Sequence, residues 1–224
     1  MPNRDNIFRI AGYPAQEVRF AYDQCEVSLY QVARLEELVD RAALLRDDPV
    51  PEPPYWAHLW IGARALARRI AEREDLRGQR VLDLGCGLGL PGLVAAARGA
   101  EVWFVDREAS ALEFVRASAA RNGFARIRCV NIDFTSADLG TTFDAILAAE
   151  VVYEPRSYGP LCHFLEVHIG PRGVIHLTDA FRSDAQRFFS ELTCRGFQGE
   201  RRPGREWEEG KPQGLFLWAF QRSR

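Results

Sequence analysis

Between Glu17 and Val32 apolar and polar residues alternate in two runs, EVRFAY and CEVSLYQV, separated by Asp23 and Gln24. A period of two puts every second side chain on one face of an extended chain, so this segment predicts a β-hairpin. From Ala33 to Leu45 the spacing becomes helical. Asp47 to Pro54, with four prolines in eight residues, reads as a stiff loop. A second helix is predicted from Trp56 to Glu74, where Leu59, Ala63, Leu66, Ala67 and Ile70 recur on one face and Arg64, Arg68, Arg69 and Arg73 on the other, with Arg77-Gly78 as its stop.

Beyond it the pattern becomes regular. Largely apolar runs at 81–84, 101–105, 127–131, 143–150 and 173–178 alternate with helical stretches at 91–98, 108–121, 157–169 and 184–195. Apolar strands alternating with helices are buried on both faces, which predicts a parallel sheet between two layers of helices. The tail adds strands near 197–202 and 215–221, joined as an antiparallel hairpin through a polar loop at 203–214. In such open sheets a ligand sits outside the carboxyl ends of the strands, so chemistry is sought there.

Composition narrows the class. With 224 residues, 47% of them hydrophobic, the chain can bury a core and forms one domain or one domain with an appendage. Its 29 basic and 31 acidic side chains leave no cationic excess to neutralise phosphates, so neither nucleic acid nor a membrane surface is expected as a partner. Lys211 is the sole lysine; the arginines are scattered, as codon bias would leave them. Cys25, Cys86, Cys129, Cys162 and Cys194 are odd in number and form no C-x-x-C, which fits thiols in a reducing compartment. There is no apolar leader and no run of 18 apolar residues, so a soluble, cytoplasmic monomer is expected. His163, His168 and His176 do not share a helical face at i,i+4, and no metal site is expected.

The first core strand runs into VLDLGCGLGLPG, Val81 to Gly92. Gly85, Gly87 and Gly89 allow a sharp turn and close approach to bare backbone, Cys86 fills the turn as a small residue, and Pro91 suits a first helical turn. The third glycine that a dinucleotide fingerprint requires is replaced by Leu90, and no G-K-[ST] follows, so neither that fingerprint nor a phosphate-binding Walker loop is present. Asp106 ends the next strand about twenty residues on, where a carboxylate can accept both hydroxyls of a ribose. The following strand exits at Asn131-Ile132-Asp133-Phe134. The fourth ends in LAAEVVYEP, with Glu150 and Tyr153 three residues apart.

The G-x-G-x-G loop with Asp106 resembles motif I of the class I, seven-strand S-adenosylmethionine (SAM) methyltransferases. The acidic-x-x-Tyr pattern and PYWAHLW, Pro54 to Trp60, narrow the resemblance to the protein-lysine methyltransferase group. The resemblance spans roughly Pro54 to Asp179, and Glu150 stands where many members carry Asp. It implies an α/β, Rossmann-like seven-stranded, mostly parallel sheet with an antiparallel C-terminal strand. A methyltransferase domain at 55–224 would follow an N-terminal hairpin-and-helix appendage at 1–54 that could touch substrate. It further implies SAM as cofactor, released as S-adenosylhomocysteine. The cofactor would be bound by Trp60, Asp83, Gly85, Cys86, Gly87, Gly89, Asp106, Arg107, Asp133, Phe134 and Ala149. Glu150 and Tyr153 would be the catalytic pair, and the acceptor a lysine of a partner protein or, alternatively, a small amine or other metabolite.

Overall fold

The computed structural model describes residues 8–38, 54–179, 185–208 and 210–223. The predicted hairpin is present as β2 (Tyr13–Tyr22) and β3 (Cys25–Val32), and β1 (Phe8–Ile10) adds a third antiparallel strand. Of the helix read at 33–45, a short 3-10 turn at Leu35–Leu38 is seen; its remainder and most of the proline-rich loop lie outside the described residues.

Seven strands form the main sheet: β4 (Arg80–Leu84), β5 (Glu101–Asp106), β6 (Ile127–Asn131), β7 (Phe143–Ala149), β8 (Ile169–Asp179), β9 (Phe197–Glu208) and β10 (Lys211–Arg222). Their order is β6-β5-β4-β7-β8-β10-β9. The first five are parallel, β10 is antiparallel to β8, and β9 is antiparallel to β10. The order reverses between β4 and β7, which opens a crevice at their carboxyl ends. The helices are α1 (Ile61–Arg73), α2 (Leu90–Ala97), α3 (Ala109–Arg121), α4 (Tyr158–His168) and α5 (Ala185–Cys194). Among the described residues no helix is long and apolar enough to cross a membrane.

Because side chains alternate across a strand, each core strand feeds two cores. Val81, Val102, Phe104 and Leu147 pack with α1, α2 and α3; Leu82, Leu84, Val105 and Ile146 pack with α4 and α5. The first core also takes in Ala15, Val27, Leu29 and Val32, so the N-terminal sheet is built onto the α2 and α3 layer. Polar pins hold it there: Ser118 Oγ accepts from Tyr30 N at 2.9 Å, Asn122 Oδ1 from Ser28 N at 2.9 Å, and Glu17 takes Arg121 Nε at 3.1 Å.

Two boundaries differ from the sequence reading. The helix predicted from Trp56 begins at Ile61, because Tyr55–Ala57 forms a 3-10 turn that buries Trp56 against Tyr13 and Phe114. The polar loop expected at 203–214 is instead mostly ladder, paired without interruption from Phe197↔Arg222 to Glu208↔Lys211. Backbone pairing and α1 stabilise this extension, so it lacks the apolar alternation by which strands are recognised.

Candidate functional site

Chain reversal after β4 needs left-handed backbone, and Gly85, Gly87 and Gly89 supply it with φ of +60°, +50° and +76°. A side chain at Gly87 would also start 3.0 Å from the Trp56 carbonyl oxygen. Asp106 clasps the turn: its Oδ2 accepts from Gly87 N at 2.8 Å and its Oδ1 from Glu108 N at 2.9 Å. Burial raises its pKa above the usual carboxylate range, against the lowering effect of these two bonds. Asp83, fully buried one strand away, accepts from Gly92 N in the first turn of α2 at 2.8 Å, and burial pushes it up to about 8.

These elements frame a cavity of about 600 Å³ at the carboxyl ends of the strands. Trp60, Asp83, Gly85, Cys86, Gly87, Asp106 and Arg107 line it from the β4 and β5 side, Asp133 and Phe134 from beyond β6, and Ala149, Glu150 and Tyr153 from beyond β7. Gly89 does not join them. It is the N-cap of α2, and a Cβ there would lie 2.7 Å from Val115, so its demonstrated part is packing. Trp60 precedes α1 and donates its indole N–H to the Tyr55 carbonyl at 3.0 Å. Asp133 accepts from Thr135 N at 2.8 Å, and bonds from Thr135 hold its pKa below the ordinary value, so its carboxylate faces the cavity ionised.

Glu150 leaves β7 with φ +57°, a conformation a non-glycine residue adopts only when its surroundings enforce it. Its N–H donates to the Thr178 carbonyl at 3.3 Å, and its side chain is buried against the first turn of α1. Tyr153, by contrast, is 49% exposed on the same cavity's rim, and Glu154 beside it pairs with Arg156.

Sequence reasoning missed several contributors. Asn131 Nδ2 donates to the carbonyls of Asp106 at 3.0 Å and Arg107 at 2.8 Å, fixing the turn that carries the acid. His58 and Tyr55 line the mouth. Glu208, at the hairpin tip, reaches His58 at 3.5 Å, while Arg64 Nη2 donates to the Trp207 carbonyl at 2.8 Å and Arg68 pairs with buried Glu206 at 2.9 Å. Asn131 could have been suspected from a polar residue ending a buried strand; the hairpin contacts had no local signal.

Residues 55–149 match the family model of the methyltransferase small domain. EEF1A lysine methyltransferase 3 of Mus musculus is 28% identical over 150 residues, 64% of this chain and 65% of that protein. Protein N-lysine methyltransferase METTL21A of Danio rerio is 36% identical over 131 residues, 55% of this chain and 60% of that protein. Histone-arginine methyltransferase METTL23 of Xenopus laevis is 32% identical over 111 residues, 46% of this chain and 47% of that protein. The chain therefore spans less than two thirds of the length of each of these relatives. Among solved structures, a TehB-like SAM-dependent methyltransferase from Corynebacterium glutamicum aligns with a TM-score of 0.57 at 19% identity, covering 71% of this chain and 88% of that one. At that identity the likeness is one of fold.

Proposed function

We propose that this chain, which carries a methyltransferase small domain on the seven-strand, class I methyltransferase fold, transfers a methyl group from SAM to lysine side chains of a partner protein. The observation that carries the reading is one cavity with two unlike ends: a glycine-and-carboxylate cradle at Gly85, Gly87 and Asp106, and an acid-and-phenol rim at Glu150 and Tyr153.

The residues present fit the cofactor. Left-handed glycines leave bare backbone at the cavity wall, where a Cβ at Gly87 would press on Trp56. Asp106 has lone pairs beyond its two backbone bonds, enough to accept ribose hydroxyls. Ionised Asp133 can take an exocyclic amine, and Phe134 offers an apolar ring beside it. Asp83, Cys86, Arg107, Ala149 and Trp60 complete this lining in the proposal. When bound, SAM supplies a methyl group already activated by its sulfonium.

The chain's own residues then align and deprotonate the acceptor. A lysine ammonium has a pKa of about 10.4 and must lose its proton before it can act as a nucleophile. Glu150 holds the ammonium, Tyr153 orients it by a hydrogen bond or through its ring, and the proton passes to Glu150 or water. Alignment is the larger contribution, since the displacement needs the nitrogen in line with the bond that breaks. The half-exposed Tyr153 favours a protein side chain entering from solvent over a small amine enclosed in the site.

The test supplies methyl-tritiated SAM to an extract of cells lacking this chain and separates protein-bound from small-molecule label. The proposal expects label in protein, and Glu150→Ala and Tyr153→Phe each to lower it at least tenfold while SAM still binds. Label confined to small molecules would establish the metabolite reading instead.

A further inference from the structure

We infer that Gly62 and Thr178 are positioning residues for the Glu150 carboxylate, and that a glycine stands at position 62 because the Glu150 side chain and the Thr178 hydroxyl occupy the space a Cβ would need. This rests on the reading of Glu150 as the acid that receives the acceptor.

Gly62 lies in the first turn of α1, eighty-eight residues from Glu150 in sequence. A Cβ built on it would sit 2.5 Å from Glu150 Oε1, 2.8 Å from Glu150 Cγ and 2.5 Å from Thr178 Oγ1. Separations that short are not tolerated, so the glutamate side chain and the threonine hydroxyl fill the volume that any larger residue at 62 would need. Nothing in α1 itself asks for glycine: its φ is not in the left-handed region, and glycine inside a helix destabilises it relative to alanine. Thr178 contributes twice, its carbonyl accepting from Glu150 N at 3.3 Å and its fully buried hydroxyl lying beside the carboxylate above Gly62. The left-handed φ of Glu150 turns its side chain back toward α1, and these neighbours stop it. The positive end of the α1 dipole suits a carboxylate held at its first turn. An aspartate at 150 would withdraw the oxygen now 2.5 Å from that Cβ while keeping a carbon at Cγ and leaving Thr178 Oγ1 in place, so it would relieve the crowding only in part.

That length dependence makes the inference testable as a cycle of Gly62→Ala, Glu150→Asp and the double variant. The midpoint of thermal unfolding and tritium transfer from labelled SAM to protein in an extract of cells lacking this chain are both measured. With Glu150 intact, Gly62→Ala is expected to lower Tm by about 2–4 °C, as a clash does in a chain of this size. Transfer should fall at least tenfold, with SAM affinity by calorimetry within about threefold. In the Glu150→Asp background the same alanine should lower Tm and transfer by clearly smaller amounts, because neighbouring substitutions that share a volume are not additive. Thr178→Val should lower transfer, and Thr178→Ser should restore most of it. An alanine effect equal in the two backgrounds, or absent from both, overturns the inference while leaving Glu150's role intact. If Glu150→Ala transfers at the original rate, the acceptor-acid reading falls, and the Tm cycle alone decides whether the packing relation holds.

Discussion

Asp106 concentrates what single residues do here. Its carboxylate fixes the glycine turn through Gly87 N and keeps lone pairs for a ligand. Asp106→Ala should weaken SAM binding roughly 10- to 100-fold, the loss of charge-assisted hydrogen bonds worth about 1.5–3 kcal/mol, read by calorimetry. His176 makes a separate prediction. Burial, with Arg69 nearby, lowers its pKa from 6.5 to about 4. A base depressed on folding contributes stability that is present above the unfolded value and lost as pH falls, here from about 6.5 toward 4. Between pH 7 and pH 4.5 wild type should lose about 2 kcal/mol more than His176→Gln, as urea unfolding at the two pH values will measure. The glycine loop, Asp106, and the Glu150–Tyr153 spacing were legible in the sequence because each depends on local chain geometry. Gly62 was not, since its reason is a side chain from a distant strand.

Among the elements, the central strands β4, β5 and β7 were legible because burial on both faces leaves mostly apolar runs. The β9–β10 extension was not. Its outer half carries Arg202, Arg205, Glu206 and Glu208, held by backbone pairing and by α1. The start of α1 was misplaced for a related reason: the helical spacing continues back to Trp56, yet tertiary burial of that indole against Tyr13 and Phe114 overrides it. Glu206 is only 5% exposed and has Arg68 as its counter-ion. Arg68→Ala should therefore destabilise the protein by about 1–2 kcal/mol, the modest figure reflecting how exposed Arg68 itself is. Amides of residues 204–208, 210, 211 and 213 should exchange at least tenfold faster, and acceptor KM should rise more than SAM affinity falls. Uniform exchange in hairpin and core would argue that the tip is not separately anchored.

At the scale of the molecule, the N-terminal sheet was read as an appendage able to touch substrate, and its packing points to a further duty. Val27, Leu29 and Val32 share a core with α2 and α3, and Ser118 and Asn122 satisfy its backbone. Removing residues 1–32 should leave those groups bare and yield little soluble, cooperatively unfolding protein, checked by circular dichroism and thermal melting. A shortened chain that melts cooperatively would mark the sheet as dispensable to the fold. In the proposed function, the seven-strand domain, the crevice at its switch point and the two ends of the cavity act as one device that brings an activated methyl group to an acceptor nitrogen. Its acceptor residue is the central claim, and fragmentation mass spectrometry of the protein labelled in the presence of SAM reads it directly. Lys211 is the chain's own single lysine, so self-labelling is confined to one recognisable side-chain site. The account predicts methyl groups on lysine Nζ of a partner protein, lost with Glu150→Ala. Methyl groups on arginine or histidine, or on no protein, would contradict it.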